Sequence, residues 1–322
     1  MKQLKLRPTQ LKLSPALIAF LLAIALFVLG GILRPGFASY ALAINILRLA
    51  AFLGIVAAGQ TLVIISGGEG IDLSVGSVIT LGAILIYNIV NGHDAMILPA
   101  LLVALAVGAA IGAINGLGIT LLRIPPLVMT LGMAGVVDGL VLVVTQGKVN
   151  GASAPLMVRL VSSPLLFGIP GVVLLWLLLG IIMWLLLERT AYGKFLFAIG
   201  VNRTTSKLSG VRVPAVLLLT YALSGMLAAL GGFVLLGYTQ NVFLNLGAAY
   251  TLPSVAAVVV GGTLLAGGRG DYFGTMAGAL VLTLLTSLLT TMELPESARQ
   301  IVYGLTLLLL LSIYGRQHRL RS

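Results

Sequence analysis

Long, uninterrupted apolar runs are the feature that most constrains what this 322-residue chain can fold into. An α-helix needs roughly 20 mostly apolar residues to cross the hydrocarbon core of a bilayer. Ten such stretches occur, at approximately residues 15–33, 42–66, 71–91, 97–120, 126–145, 169–187, 214–236, 250–266, 272–291 and 297–314. The sequence therefore predicts an all-α polytopic membrane protein with about ten transmembrane helices. Only 8% of the residues are charged, against about a quarter in soluble domains, which excludes a soluble enzyme or nucleic-acid-binding protein.

The basic residues predict the orientation of these helices. Placing the N-terminus inside puts 14 of the 19 Lys and Arg residues on the inner side, as the positive-inside rule requires. Both termini are then cytoplasmic, with residues 1–14 as a tail on a single transmembrane domain that spans 1–322. The first apolar run, about 19 residues long, exceeds the 7–15 residues typical of a signal peptide, so we expect an uncleaved helix.

Known catalytic and nucleotide-binding patterns are missing from the sequence. There is no GxxxxGK[ST] motif for binding ATP phosphates, and neither His93 nor His318 stands in a metal-ligand spacing. We therefore expect no metal site, no catalytic residues and no cofactor on this chain. A membrane enzyme is the weaker alternative.

Glycines mark two kinds of position. Gly108, Gly112 and Gly116 recur every fourth residue on one helix face, a spacing that lets helix backbones approach closely in a membrane. Two similar glycine-rich turns, at 67–70 and 267–270, each join one apolar run to the next and are followed by an acid. Such an echo is typical of transporters built from internal repeats.

Polar residues inside the spans are the candidates for a solute path. A buried charge costs at least ~2.5–3.5 kcal/mol on insertion scales, and only Asp72 and Asp138 come close to this situation. We expect Asp72 to N-cap the helix that starts after the first glycine turn and Asp138 to face a polar interior or a partner. So few acids argue against ion coupling, and amides and hydroxyls suit a neutral polyhydroxylated solute. The path candidates are Asn45, Gln60, Asp72, Ser74, Asn115 and Thr130.

Several short motifs together carry a family resemblance. They are QTLVI at 60–64, GIDLSVGS at 70–77, PLVMTLG at 126–132, RTAYGK at 189–194, AIGVN at 198–202, SGV at 209–211, VGGT at 260–263 and GGRG at 267–270. In this order, and over most of the chain from about residue 45, they resemble the permease subunits of bacterial ribose/xylose-type sugar ABC importers. Glu69 departs from the family pattern as an extra residue in the usual Gly-Gly-Ile-Asp string.

The resemblance implies a multi-pass permease of the bacterial cytoplasmic (inner) membrane that translocates a small neutral solute, a monosaccharide or related polyol. It also implies a second permease subunit, identical or related, and a periplasmic or lipid-anchored sugar-binding protein. ATP and Mg would be bound by a separate cytoplasmic ABC ATPase. The alternative is an ion-coupled secondary sugar carrier.

The stretch 189–212 is expected to dock on that ATPase. Its five basic residues fit a solvated inner loop, but its length and apolar content favour a docking element, and the resemblance supports docking. The coupling candidates are Asn202, Arg203, Lys207, Ser209 and Gly210. Thr205 and Ser206 stand where the family often has two alanines.

Overall fold

The computed structural model describes residues 14–166, 168–295, 297–298, 301–302 and 304–305. In this part of the chain almost all regular structure is helical, with one small antiparallel hairpin formed by β1 (Pro164–Leu166) and β2 (Ile169–Pro170). The helices are α1 (Pro15–Leu33), α2 (Tyr40–Ile65), α3 (Val75–Val90), α4 (Ile97–Thr120), α5 (Pro126–Thr145), α6 (Pro155–Ser162), α7 (Gly171–Trp184), α8 (Ala191–Val201), α9 (Arg203–Leu208), α10 (Val213–Thr239), α11 (Thr251–Val260) and α12 (Tyr272–Thr291). A π-helical turn, Leu185–Arg189, extends α7.

Residues that favour helix starts stand where the helices begin. The Ser39 hydroxyl accepts a hydrogen bond from the Leu42 amide at the start of α2, and Asp271 accepts one of 2.6 Å from the Gly274 amide at the start of α12. Pro126 occupies the first turn of α5, where the amide that proline lacks would have no partner inside the helix.

Seven helices of the described chain are long and apolar enough to cross a membrane, which confirms a polytopic, mainly helical membrane protein. Two predicted spans contain shorter helices than expected. The span predicted at 71–91 has helix only from Val75, and its 16 residues reach about 24 Å, less than the ~30 Å hydrocarbon core. The span predicted at 250–266 contains a helix of only 10 residues, α11. Most of the predicted span 297–314 and nearly all of the tail 1–14 lie outside the described residues.

Helix α10 is packed against α4 through the predicted glycine face. A Cβ atom at Gly112 would overlap the carbonyl oxygen of Tyr221, and one at Gly108 would overlap that of Gly225. Gly116 lies equally close to the backbone of α10 at Leu218. Because lipid tails are as apolar as the helix surfaces, close packing of this kind holds helices together in a membrane.

The two glycine-rich turns contact each other. After α2 ends, Gly67, Gly68 and Glu69 all adopt positive φ, and the chain folds back along the last turns of α2 before α3 starts. The second turn, between α11 and α12, lies directly against the first, and the amide of Gly268 donates a 2.9 Å hydrogen bond to the carbonyl of Ile65. A Cβ at Gly267 would overlap the backbone of Gly67, so only glycine fits this approach. The two glycine-rich turns, which are similar in sequence, are therefore in direct contact in the fold.

Candidate functional site

The carboxylate of Asp72 is the centre of a buried polar network at the break between α2 and α3. Its Oδ1 accepts hydrogen bonds from the backbone amide of Ser74 at 3.0 Å and from the Ser74 hydroxyl at 2.6 Å. Its Oδ2 accepts one of 2.8 Å from the hydroxyl of Ser224 on α10. The N-cap position of α3 is Ser74, so the prediction that Asp72 itself is the N-cap is wrong by two residues. The carboxylate reaches the capping residue instead, because the chain before Ser74 lies along α2.

The backbone around Asp72 is held by side chains of two other helices. The amide of Gln60 on α2 donates to the Asp72 carbonyl and accepts from the Asp72 amide at 3.2 Å. On α5, the hydroxyl of Thr130 contacts the Ile71 carbonyl at 3.2 Å and accepts from the Leu73 amide at 3.1 Å. Where the helix is broken inside a membrane bundle, the backbone groups need side chains as hydrogen-bond partners, because lipid offers none.

Helix α4 completes the network through Asn115, whose amide nitrogen donates a 3.0 Å hydrogen bond to the Ser74 hydroxyl. Two buried oxygens, Oδ1 of Asn115 and the hydroxyl of Tyr221, have no hydrogen-bond partner in the described chain. Five of the six predicted path residues therefore meet here, each almost completely buried: Gln60, Asp72, Ser74, Asn115 and Thr130. The sixth, Asn45, lies about 22 Å along α2 from Gln60 and takes no part.

A cavity of about 220 Å³ lies next to this network, where α3 and α11 both begin. It is lined by Leu73, Gly76, Ser77, Thr80, Ala134, Asp138, Leu244, Asn245, Ala248 and Thr251. The Thr80 hydroxyl, which also bonds the Gly76 carbonyl, accepts a 3.0 Å hydrogen bond from the Gly247 amide and so ties the segment after α10 to α3. Asn245 was missed in the sequence analysis. The one signal was a pair of asparagines between two apolar runs.

Asp138 is exposed on the isolated chain at the edge of this cavity. It lies about 18 Å along α5 from Pro126, close to the middle of a helix that spans a ~30 Å core. The expectation that it faces a polar surrounding agrees with the Ser, Thr and Asn side chains that line the same space.

The predicted coupling residues lie in α9 and at or just beyond its two ends, and they make different contacts. Arg203 points into the bundle, where its guanidinium donates a 2.9 Å hydrogen bond to the carbonyl of Gly67. Asn202 caps α9 by accepting from the Thr205 amide at 2.9 Å, Ser209 C-caps α9, and Gly210 turns the chain with a φ of 86°.

The outer face of α8 and α9 is exposed. Lys207 is exposed, as are two apolar side chains beside it in the fold, Val201 and Leu208, the latter at 85%.

Tyr192 joins this segment to α10. Its hydroxyl lies 2.9 Å from the Thr220 hydroxyl, and burial raises the pKa of the phenol to about 12. The phenol therefore stays neutral at physiological pH. Among the residues that the structure describes, no group of three or more His, Asp or Glu side chains could hold a metal ion.

Residues 42–311 match the family of the "Branched-chain amino acid transport system / permease component". The chain is 34% identical over 300 residues to the ribose import permease protein RbsC of Bacillus subtilis, covering 92% of this chain and 91% of that one. It is 35% identical over 302 residues to the autoinducer 2 import system permease protein LsrC of Yersinia enterocolitica, covering 92% and 82% respectively. RbsC of Escherichia coli K12 is 34% identical over 299 residues, or 91% of both chains. No solved structure matches.

Proposed function

This chain belongs to the branched-chain amino acid transport system permease family, and we propose that it is the subunit of an ABC importer through which a small neutral, polyhydroxylated solute crosses the bacterial cytoplasmic membrane. The solute class is a monosaccharide or related polyol. Two relatives of nearly the same length are named as ribose import permeases, and ribose is a small neutral sugar.

The observation that carries this proposal is the polar centre of the bundle. Hydroxyls and amides from α2, α3, α4, α5 and α10 meet around the chain break, and their one carboxylate, Asp72, is bonded by three donors of the chain itself. These bonds within the chain give Asp72 a structural role, which argues against its use as the site of a coupling ion. An importer driven by ATP on another subunit fits this arrangement.

We propose that the predicted path residues act in two ways. Gln60, Asp72, Ser74, Asn115 and Thr130 form the joint at which five helices are linked, and this joint rearranges when the path opens to one side or the other. Asn45, on the far part of α2, would contact the solute nearer the outer opening.

The ATPase would bind at 189–212, on the face that exposes Lys207, Val201 and Leu208. In this arrangement Arg203 transmits movement into the bundle rather than contacting the ATPase. ATP and Mg belong to the ATPase, and a second permease, identical or related, together with a sugar-binding protein completes the importer.

The test is reconstitution of the chain in proteoliposomes with an ABC ATPase and a sugar-binding protein from the same organism. We expect uptake of radiolabelled D-ribose or a related sugar that requires ATP, the ATPase and the binding protein. Uptake by the chain alone, driven by a proton or sodium gradient and indifferent to ATP, would refute the proposal and favour the secondary carrier.

A further inference from the structure

We infer that the cavity between α3, α5 and the segment 244–251 is a binding subsite for the solute in transit, with Asp138 as the residue that selects hydroxyl groups. This inference rests on the proposed function and adds the place and the contacts of the solute.

The cavity differs from the neighbouring network in that four of its polar side chains are unused. The side chains of Ser77, Asp138, Asn245 and Thr251 all line it, and none has a hydrogen-bond partner within the described chain. Around Asp72, by contrast, the carboxylate accepts three hydrogen bonds from its neighbours. Asp138 and Asn245 are exposed and Ser77 and Thr251 partly exposed on the described chain. Four accessible polar side chains around one space leave their hydrogen bonds to be made by water or by a ligand.

The size of the cavity fits a small solute. Sites for drug-sized ligands measure ~300–1,000 Å³, and a volume of about 220 Å³ falls below that range. With ~30 Å³ for each water in the liquid, the space corresponds to about seven waters. The cavity is partly open, and its volume suits a single sugar ring.

The chemistry of the lining favours a neutral polyol. An ionised carboxylate accepts hydrogen bonds at two oxygens and donates none, so Asp138 pairs with two hydroxyls of a diol and repels an anionic solute. The hydroxyls of Ser77 and Thr251 and the amide of Asn245 both donate and accept, which matches the further hydroxyls of a sugar.

The other residues that line the cavity favour a low affinity for a sugar. They are Leu73, Gly76, Thr80, Ala134, Leu244 and Ala248, none of them aromatic. A sugar would therefore bind here by hydrogen bonds without ring stacking. Weak binding suits a place of passage, because a solute held tightly could not leave.

The solute reaches this space from the side of α5. The helix there carries Gly132, Gly135 and Gly139, at which an added Cβ would meet nothing within 4 Å in the described chain. In the proposed two-permease importer, the cavity opens toward the partner subunit on this side.

The absence of cysteine from the whole sequence provides a direct test. Single-cysteine variants Ser77→Cys and Thr251→Cys place a thiol in the cavity, and Lys148→Cys, exposed in the loop after α5, is the control. The complete importer is assembled in nanodiscs with each variant, and the rate of labelling by a small methanethiosulfonate is measured with and without D-ribose.

We expect D-ribose to slow labelling at positions 77 and 251 and to leave the labelling rate at position 148 unchanged. At a sugar concentration twice the dissociation constant the rate should fall about threefold, because protection follows one plus the ratio of ligand to dissociation constant. Adding Asp138→Ala to the Ser77→Cys variant should abolish this protection.

Three results would overturn the inference. They are the absence of protection at both cavity positions, protection that survives Asp138→Ala, and protection by methylammonium but not by the sugar. Each is read beside ATP-dependent D-ribose uptake by the same preparations. If the preparations still take up D-ribose, only the proposed subsite is wrong. If the cysteine-free parent importer takes up no sugar at all, the proposed function itself is contradicted.

Discussion

Replacing Asp72 tests whether the buried carboxylate is a structural joint. The Asp72→Ala change removes three acceptor contacts, two to Ser74 and one to Ser224. Hydrogen bonds in membrane proteins average ~0.6 kcal/mol, which gives a loss of about 1 kcal/mol for the two hydroxyl contacts. The two serine hydroxyls can turn to other acceptors, but the Ser74 amide is left buried without a partner, an additional ~1–3 kcal/mol. We expect Asp72→Ala to lower the free energy of unfolding by about 2–4 kcal/mol.

Asp72→Asn should be much milder. The amide oxygen can still accept from Ser74, and the amide nitrogen can donate to the Ser224 hydroxyl, which also accepts hydrogen bonds. We expect a loss under about 1 kcal/mol, with most ATP-dependent uptake retained. The matched control is Asp138→Ala, because Asp138 makes no hydrogen bond within the described chain and its removal should leave stability unchanged.

The measurement is the loss of helical circular dichroism in detergent as denaturant is added, followed by uptake in the reconstituted importer. The reasoning fails if Asp72→Asn destabilises as strongly as Asp72→Ala. It also fails if Asp72→Asn is stable but transports nothing, since that result would show that the charge itself is needed and would favour ion coupling.

Two further predictions concern packing and coupling. Gly112→Ala pushes a methyl group into a backbone carbonyl of α10 and should lower the free energy of unfolding by about 1–3 kcal/mol. Gly132→Ala, with open space around it, should leave this free energy unchanged. Equal losses for the two variants in a denaturant titration would contradict the close packing of α4 on α10. Arg203→Ala removes the bond to the Gly67 carbonyl and should reduce sugar uptake per ATP hydrolysed while the ATPase still co-purifies. The exposed Lys207→Glu should instead weaken co-purification of the ATPase, and the reverse pattern in these two assays would show that the guanidinium is the docking contact.

The sequence alone predicts the class of this protein because hydropathy and charge are local properties. A run such as 97–120 is helical and apolar whatever surrounds it, and α4 occupies those same residues. The motifs at 60–64, 70–77 and 126–132 indicated the family and contained four of the five predicted path residues that meet at the chain break. Alignment over about nine-tenths of the chain with import permeases, at 34% identity, confirms that reading.

The extent of α3 and α11 could not be predicted in the same way. Hydropathy continues through the glycine-rich turns, so 71–91 and 250–266 both look long enough to span. The backbone stops being helical there because glycines and Glu69 adopt positive φ and the two turns pack together, some 200 residues apart in sequence.

What the sequence determined is a membrane permease with polar residues on its helices. Only the tertiary structure decided which of those polar residues are hydrogen-bonded to other parts of the chain and which are left facing a cavity. Asp72 is bonded to Ser224, 152 positions later in the chain, whereas Asp138 is left facing a cavity with Asn245, a residue that no local pattern marks. The two aspartates look alike in sequence because burial cost depends on residue type. Their roles differ because hydrogen-bond partners are supplied by helices that only the fold brings together.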